Sequence, residues 1–494
     1  MSTYTNFCCR SGGSNLNAGT RTGDTTEPGT SAFKTYTSGS WVSATRVFTP
    51  AGGADPSADG IAVGDFVSVY PDATTTAVFI GRITAVTSTT FTVSGTAKSG
   101  TSPVDGTTNT SAKIGGAWAG PATTSGFPLT FLDTSPTNAA ADPVRINFKN
   151  DVTYAVTAAM TLSSTHVKNI SGYGSAYGDI GAATTMAAIT ALGGLAKIDG
   201  GAAGASYVLI TNHGSGNATR WEGLWFSRNG GTGSATGFLN SGASTDFYRC
   251  CFSGMAGHGV NQSGTTATFT ECESYGNNTN NTANIAGIAG DGATSLVRCV
   301  VHDNTGTNTS GARNASAVSW TLIDCIFDSN GTNGGVQITS GSTASRVEGC
   351  EFYNNVGPGL SCNAGRGTIE NCNFVKNGTF GVIQTSGALM MRNCGFGAGT
   401  QANTSGATSL TQGDVVGSIT YADDSTPWVD PANGDFRISL AAAKGAGVGV
   451  FLQTAASYAG TIGYPDVGAA EHLEAASGGG APSIGLGSPV IRAV

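Results

Sequence analysis

The stretch TIENCNFVKNGTFGVIQ, residues 368–384, has the composition of a surface loop, yet the chain repeats its pattern. VEGCEFYNNVGPGLSC stands just upstream at 347–362, and LIDCIFDSNGTNGGVQI precedes it at 322–338. With cysteine as the anchor, the pattern runs through Cys250, Cys272, Cys299, Cys325, Cys350, Cys372 and Cys394, spaced by 22 to 27 residues, and Leu224 fits as an earlier member. Three residues before the anchor stand Trp221, Phe247, Phe269, Leu296, Leu322, Val347, Ile369 and Met391, all large and apolar. Two after it stand Phe226, Phe252, Ser274, Val301, Phe327, Phe352, Phe374 and Phe396, with Ser274 the exception. Five after it, asparagine recurs at Asn229, Asn277, Asn304, Asn330, Asn355 and Asn377. Further on come Gly259-Val260, Gly335-Val336, Gly359-Leu360 and Gly381-Val382.

This register predicts a solenoid. The anchor and the residue two later alternate inward as strand residues do. The two polar positions before the anchor turn the chain. A coil of about 24 residues cannot bury its own apolar face, so coils stack and share a core. Equivalent positions then line up about 4.8 Å apart. Asparagine at its fixed turn position is expected to adopt the left-handed conformation and to pass amide hydrogen bonds between coils. Inward cysteine acts as a small hydrophobe.

The composition agrees. The chain has 494 residues, 75 of them Gly, with 11% charged and 39% hydrophobic residues, 21 of them Phe. That is glycine-rich and charge-poor for a globular protein, and too apolar for disorder. The net charge of −8 and the lack of a basic run exclude nucleic acid as the expected partner. The longest apolar run, MAAITALGGLA at 186–196, is too short to span a membrane, and a short helix is expected within it. The opening MSTYTNFCCRSGG lacks the pattern of a signal peptide. The 11 cysteines are odd in number and show no metal-type spacing, which suggests reduced thiols and synthesis in a cytosol.

The repeat resembles the right-handed parallel β-helix, or pectin-lyase-like, superfamily. TLSSTHVKNISGYGS (161–175) looks like the first full coil of such proteins, and SGGSNLNAGT (11–20) like their N-terminal strand and turn. DFRISLAAAKGAGVGV…GYPDVGAAEH (435–472) is similar to a closing segment of bacterial and phage β-helix proteins. The expected fold is therefore all-β: a right-handed single-stranded parallel β-helix with a small β-barrel-like insert and a C-terminal cap. The expected divisions are an N-terminal segment (1–40), the insert (41–118), the β-helix (119–410), the cap (411–472) and a flexible tail (473–494). Within these, 119–160 and 411–472 are expected to cover the open sheet edges at the rod ends. The Gly/Pro-rich tail reads either as a linker with a docking peptide or as a disordered terminus.

No catalytic residue, metal or cofactor is expected. AGHGVNQ (256–262) resembles a polygalacturonase motif around His258, but the partner motifs are absent and a loop histidine is the plainer reading. Glu348, Glu370 and Arg392 occupy successive coils, two before the anchor, where a solvated charge ladder is expected rather than a shared proton or a cation site. The two longest coils are neighbours. Their extra residues, 277–292 and 304–316, are expected to protrude together as binding loops, with Asn277, Asn278, Asn280, His302, Asp303, Asn304 and Arg313 as ligand-binding candidates.

The function expected is a structural virion protein of a bacteriophage, a spike, fibre or capsid-decorating protein exposed on the particle and binding host-surface polysaccharide. The resemblance to phage tailspikes implies a homotrimer, with the termini attaching other virion proteins. The alternatives are a polysaccharide lyase or glycoside hydrolase of the same superfamily, whose acid/base pair could form across a subunit boundary, and a bacterial surface or adhesion protein.

Overall fold

The computed structural model describes residues 5–440 except 16, 22–26, 72–78, 98–109, 121–143, 157–158, 163–167, 184–185, 202–209, 213–218, 230–234, 243, 264–265, 339–344, 364–365, 386–387, 398–403, 406–414, 417–418, 422–426 and 434. The tail at 473–494 and the greater part of the expected cap lie outside the described residues. The chain divides into two compact units. The first comprises 1–183, 189–199 and 210–224; the second comprises 184–188, 200–209 and 225–494.

In the first unit, Thr5–Cys9 pairs in parallel with Val144–Lys149, and that strand pairs with Lys168–Tyr173. The first strand therefore lies upstream of the expected 11–20, which instead forms the turn leaving it. Thr153–Ala155 pairs with Ala196–Asp199, and Met160–Leu162 with Ile210–Asn212, so three sheets already run in parallel. The expected helix forms at Met186–Ala191. A separate seven-stranded antiparallel sheet uses strands from Lys34–Tyr36 to Thr110–Ile114, so the barrel-like insert begins earlier than residue 41. Its interior is aromatic, with Trp41, Phe48, Phe79 and Phe91 buried together.

The second unit carries the repeat as a right-handed parallel β-helix. Each coil contributes one strand to each of three parallel sheets, and each strand pairs in register with the strand one coil later. In the first sheet Phe247, Phe269, Leu296, Leu322, Val347, Ile369 and Met391 form one inward column. In the second, Phe327, Phe352, Phe374 and Phe396 stack ring on ring, with centroids 5.2, 4.7 and 5.4 Å apart and planes within 14°. The third column is Val260, Ile288, Ala312, Val336, Leu360 and Val382. Each fully buried large side chain contributes about 1.5–3 kcal/mol, and stacked rings add about 0.5–1.5 kcal/mol per pair.

Two turns shape each coil. The residue before the anchor takes a left-handed conformation in Arg249, Glu271, Arg298, Asp324, Gly349, Asn371 and Asn393, which bends the chain from the first sheet into the second. After the second strand the asparagines form a buried ladder. The side-chain amide of Asn277 donates to Asn304 Oδ1 (2.9 Å), that of Asn304 to Asn330 (3.0 Å), that of Asn330 to Asn355 (3.0 Å), and that of Asn355 to Asn377 (2.8 Å). The coil-to-coil amide bonding expected from sequence is present, but the left-handed residue is the one before each asparagine: Gly276, Asp303, Ser329, Asn354 and Lys376. The ladder asparagine keeps its side chain inward because its neighbour makes the turn.

The glycine column has a steric cause. A Cβ on Gly335 would lie 2.7 Å from Gly359 O and 3.0 Å from Phe327 Cβ. Gly287 and Gly311 of the long coils occupy the same column, each against a ladder asparagine and the next coil's backbone. All eleven cysteines are free and buried, and seven of them are the repeat anchors.

In the described part of the C-terminal segment, Val415–Val416 and Ile419–Thr420 pair in parallel with Ala388–Arg392 and Gly395–Phe396 at the end of the first and second sheets. The hairpin Trp428–Asp430/Asp435–Ile438 lies along the flank of the second sheet. There Trp428, Phe436 and Ile438 cover the outward side chains Val300, Ile326, Tyr353 and Val375. Among the described residues no helix is long and apolar enough to cross a membrane.

Candidate functional site

The two long coils do pack against each other. Asn278 Nδ2 donates to Thr309 Oγ1 of the next coil and, at 3.0 Å, to Thr282 O of its own. The Thr307 amide donates to Asn281 Oδ1, and the Asn308 amide to Thr332 Oγ1 at 2.8 Å. Gly306, at φ 126°, lets the loops meet, since a Cβ there would fall 2.5 Å from Asn278 Nδ2. Between them is a cleft of about 500 Å³ crossing four coils. Its floor is the residue following each ladder asparagine (Asn278, Thr305, Gly331 and Val356), and its walls are Thr279, Asn281, Gly306, Thr307 and Thr332.

The structure separates the sequence candidates. Asn277 and Asn304 are 1% and 0% exposed and belong to the ladder, which leaves no face for a ligand. Asn278 lines the cleft. Asn280 is exposed beside it in sequence but is not a lining residue. Arg313 is not in a loop: Ser310–Asn314 is a strand of the third sheet, and Arg313 donates to Asn284 O at 2.8 Å. The extra residues are therefore shorter than expected from sequence, because Ala286–Gly290 is also a strand. Thr279, Asn281, Thr305, Thr307, Thr332 and Val356 went unflagged. Their signal is position, one to four residues after a ladder asparagine.

His302 and Asp303 form a second group. His302 Nε2 lies 3.0 Å from Glu273 Oε1, and its Nδ1 lies 2.8 Å from Asp303 Oδ2. Tyr275 stacks on the imidazole at 5.1 Å and 11°, and Asp328 is its register neighbour in the next coil. Burial alone lowers the imidazole pKa, but the hydrogen bonds and charges of Asp303 and Glu273 outweigh it and push the pKa up to about 9. His302 is thus an imidazolium that neutralises a fully buried carboxylate. Because its folded pKa lies above the ordinary value, its stabilisation is fully present below about pH 6.5 and is lost as pH rises through about 9. We expect the urea midpoint to fall between pH 6 and pH 9.5 by an amount worth on the order of 3 kcal/mol relative to His302→Gln. Parallel pH profiles for the two proteins would remove the assignment.

His258 is neutral and structural. Its Nδ1 accepts the Ala286 amide at 3.0 Å, and burial lowers its pKa to about 4.

Charge also gathers where the first sheet turns into the second. Glu271 accepts from Arg249 Nε at 2.8 Å and from the Arg298 guanidinium at 2.9 Å. These partners outweigh its burial and hold its carboxyl below the ordinary range. Asp324 follows in the next coil. Burial and then the nearby Glu348 push its carboxyl up to about 7, against Arg298 and Arg346. Glu348 pairs with Arg346 and is raised by burial and by Glu370. Glu348, Glu370 and Arg392 are in register as expected, with Arg392 Nε 3.5 Å from Glu370 Oε1. Unlike a solvated ladder, the row is partly buried, since Glu348 is 1% exposed. Asp324 went unflagged. The alternating signs of Arg249, Glu271, Arg298 and Asp324 before the anchor were the available signal.

Residues 226–397 match the family model described as right handed beta helix region. No curated protein matches the sequence. Among solved structures the chain is similar to the A-module of mannuronan C-5 epimerase AlgE6 of Azotobacter vinelandii, at 11% identity and a TM-score of 0.39, covering 56% of this chain and 85% of that one. It is similar to pectate lyase Pel9A at 14% identity and a TM-score of 0.38, covering 72% and 94%. It is also similar to tailspike protein 2 of Escherichia coli O157:H7 bacteriophage CAB120 at 10% identity and a TM-score of 0.33, covering 56% of this chain and 37% of that one. The likeness is one of fold alone.

Proposed function

We propose that this right-handed parallel β-helix is a structural virion protein of a bacteriophage, a spike, fibre or capsid-decorating protein that presents a binding site for host-surface glycans. The observation that carries the reading is the preformed cleft across the two long coils, fixed by loop-to-loop hydrogen bonds on a rod with an apolar interior. A rigid scaffold with a polar, prebuilt loop surface suits recognition. The buried free thiols, stacked one per coil, fit a protein that folds in a reducing cytosol and leaves the cell without export. In this reading the chain assembles as a homotrimer, its termini attach it to other virion proteins, and it lies on the particle surface.

The test is quantitative peptide mass spectrometry of the sedimentable particle fraction of a producing culture. Co-purification in fixed ratio with a major capsid protein is expected, whereas recovery only in the soluble fraction would sink the virion reading.

A polysaccharide lyase or glycoside hydrolase is the second reading, and one observation favours it: Asp324, poised near neutrality beside Glu348, Arg298 and Arg346. In the scaffold reading, the double change Glu348→Gln/Glu370→Gln leaves any glycan cleavage intact. Loss of cleavage without unfolding would move the assignment to the enzyme.

A further inference from the structure

We infer that the cleft between the two long coils takes an uncharged, hydroxyl-rich saccharide rather than a uronate polymer. This deepens the glycan-binding reading above and rests on it. Every lining residue is Asn, Thr, Gly or Val, and no charged side chain lines the cleft. A uronate would bring carboxylates that need cationic partners, and arginine forks are what fixes them. The arginines of these coils are engaged elsewhere. Arg249 and Arg298 hold Glu271, Arg346 holds Glu348, and Arg313 donates to the Asn284 carbonyl. A carboxylate brought into the cleft would lose water without gaining a counter-charge.

The free polar groups point the same way. Asn278 and Asn281 spend their side chains holding the loops together. The hydroxyls of Thr279, Thr305 and Thr307 make no hydrogen bond to any described residue, although all three line the cleft. Each can donate one hydrogen bond and accept others, which matches sugar hydroxyls or an acetamido group. Val356, 57% exposed at the far end of the floor, offers an apolar contact for a ring C–H face or an acetyl methyl. The loops are held by their own hydrogen bonds, so little ordering remains to oppose binding.

The test uses the full chain and its triple variant Thr279→Val/Thr305→Val/Thr307→Val, which keeps side-chain shape and removes three hydroxyls. Both are titrated calorimetrically with neutral oligomers of hexose and N-acetylhexosamine, and with oligogalacturonate and oligomannuronate. We expect binding to a neutral oligomer that is insensitive to added salt, is about tenfold or more weaker in the variant, and leaves the melting temperature unchanged. Binding confined to the acidic oligomers, or neutral binding untouched by the variant, overturns this inference while the glycan-binding reading stands. Absence of binding to either class by the unmodified chain overturns both. If the variant melts lower, the single change Thr305→Val supplies the comparison, with a smaller loss of affinity expected and unchanged affinity overturning the site.

Discussion

Phe352→Asp is expected to yield no folded protein. Phe352 is 0% exposed and sits between Phe327 and Phe374, with ring centroids 5.2 and 4.7 Å away. The change removes a fully buried ring, which alone costs about 3–5 kcal/mol when replaced by alanine. It also puts a carboxyl between stacked rings and beside Gly335 and Gly359 in the buried interior, and an unpaired buried charge costs several kcal/mol more even after its pKa rises. Together these approach the whole stability of an ordinary domain. A stacked rod cannot route around the lesion, because each coil contacts only its neighbours. Two comparisons keep the result interpretable. Phe352→Ala should still fold, with a melting transition lowered by the cavity. Met390→Asp, on the outward side of the first sheet at 41% exposure, should change stability by no more than about 0.5 kcal/mol. Soluble, cooperatively melting Phe352→Asp protein would mean that the inward register is wrong.

The inward register was readable because it rests on residue type alone. A position that faces the apolar core is apolar in nearly every coil, with buried Ser274 the exception, and loop insertions do not change that. The same logic found the asparagine ladder and failed at its neighbour. Gly276, Asp303, Ser329, Asn354 and Lys376 share a left-handed backbone but no chemistry, so no pattern in residue type marks them. The glycine column was read in the coils of regular length only. In the long coils, Gly287-Ile288 and Gly311-Ala312 are displaced in sequence by the loops and return to the column only in space.

Site residues were less legible for a related reason. Asparagine near a loop suggested a ligand contact, and two of those chosen, Asn277 and Asn304, are instead buried amides of the ladder. Most of the cleft residues are threonines and glycines whose role comes from the coil beside them, not from their own neighbours in sequence. Arg313 looked like a loop cation until pairing from Ser310 onward placed it on a strand. The flank covered by Trp428 and Phe436 was hidden because Val300, Ile326 and Tyr353 read as outward positions, and a sequence repeat does not reveal what lies over its outside.

The ladder yields the second large effect: Asn330→Ala should lower stability by about 3–5 kcal/mol although it removes only a few atoms. Asn330 Nδ2 donates to Val301 O at 2.9 Å and to Asn355 Oδ1 at 3.0 Å. Its Oδ1 accepts the Asn304 backbone amide at 3.3 Å and the Asn304 side-chain amide at 3.0 Å. Alanine leaves those groups buried without that partner, and the lost bonds lie in three successive coils. A buried group left without a partner costs its full desolvation, about 1–3 kcal/mol each, where a solvated one would cost little. Asn333→Ala removes an exposed amide contact to Asn308 O and should cost well under half as much. Asn330→Asp separates the two halves of the amide. It keeps the acceptor for Asn304 but turns the donor into an oxygen facing Val301 O and Asn355 Oδ1. Once protonated, that carboxyl can donate again, so the variant should regain stability as pH falls through its raised pKa. Denaturant midpoints of the three variants across pH 4 to 8 decide the matter. If Asn330→Ala is no more costly than Asn333→Ala, the ladder follows from packing and does not help to hold the coils together. If Asn304→Ala and Asn330→Ala together cost much less than their sum, the shared bond between them is real, because each single change already breaks it.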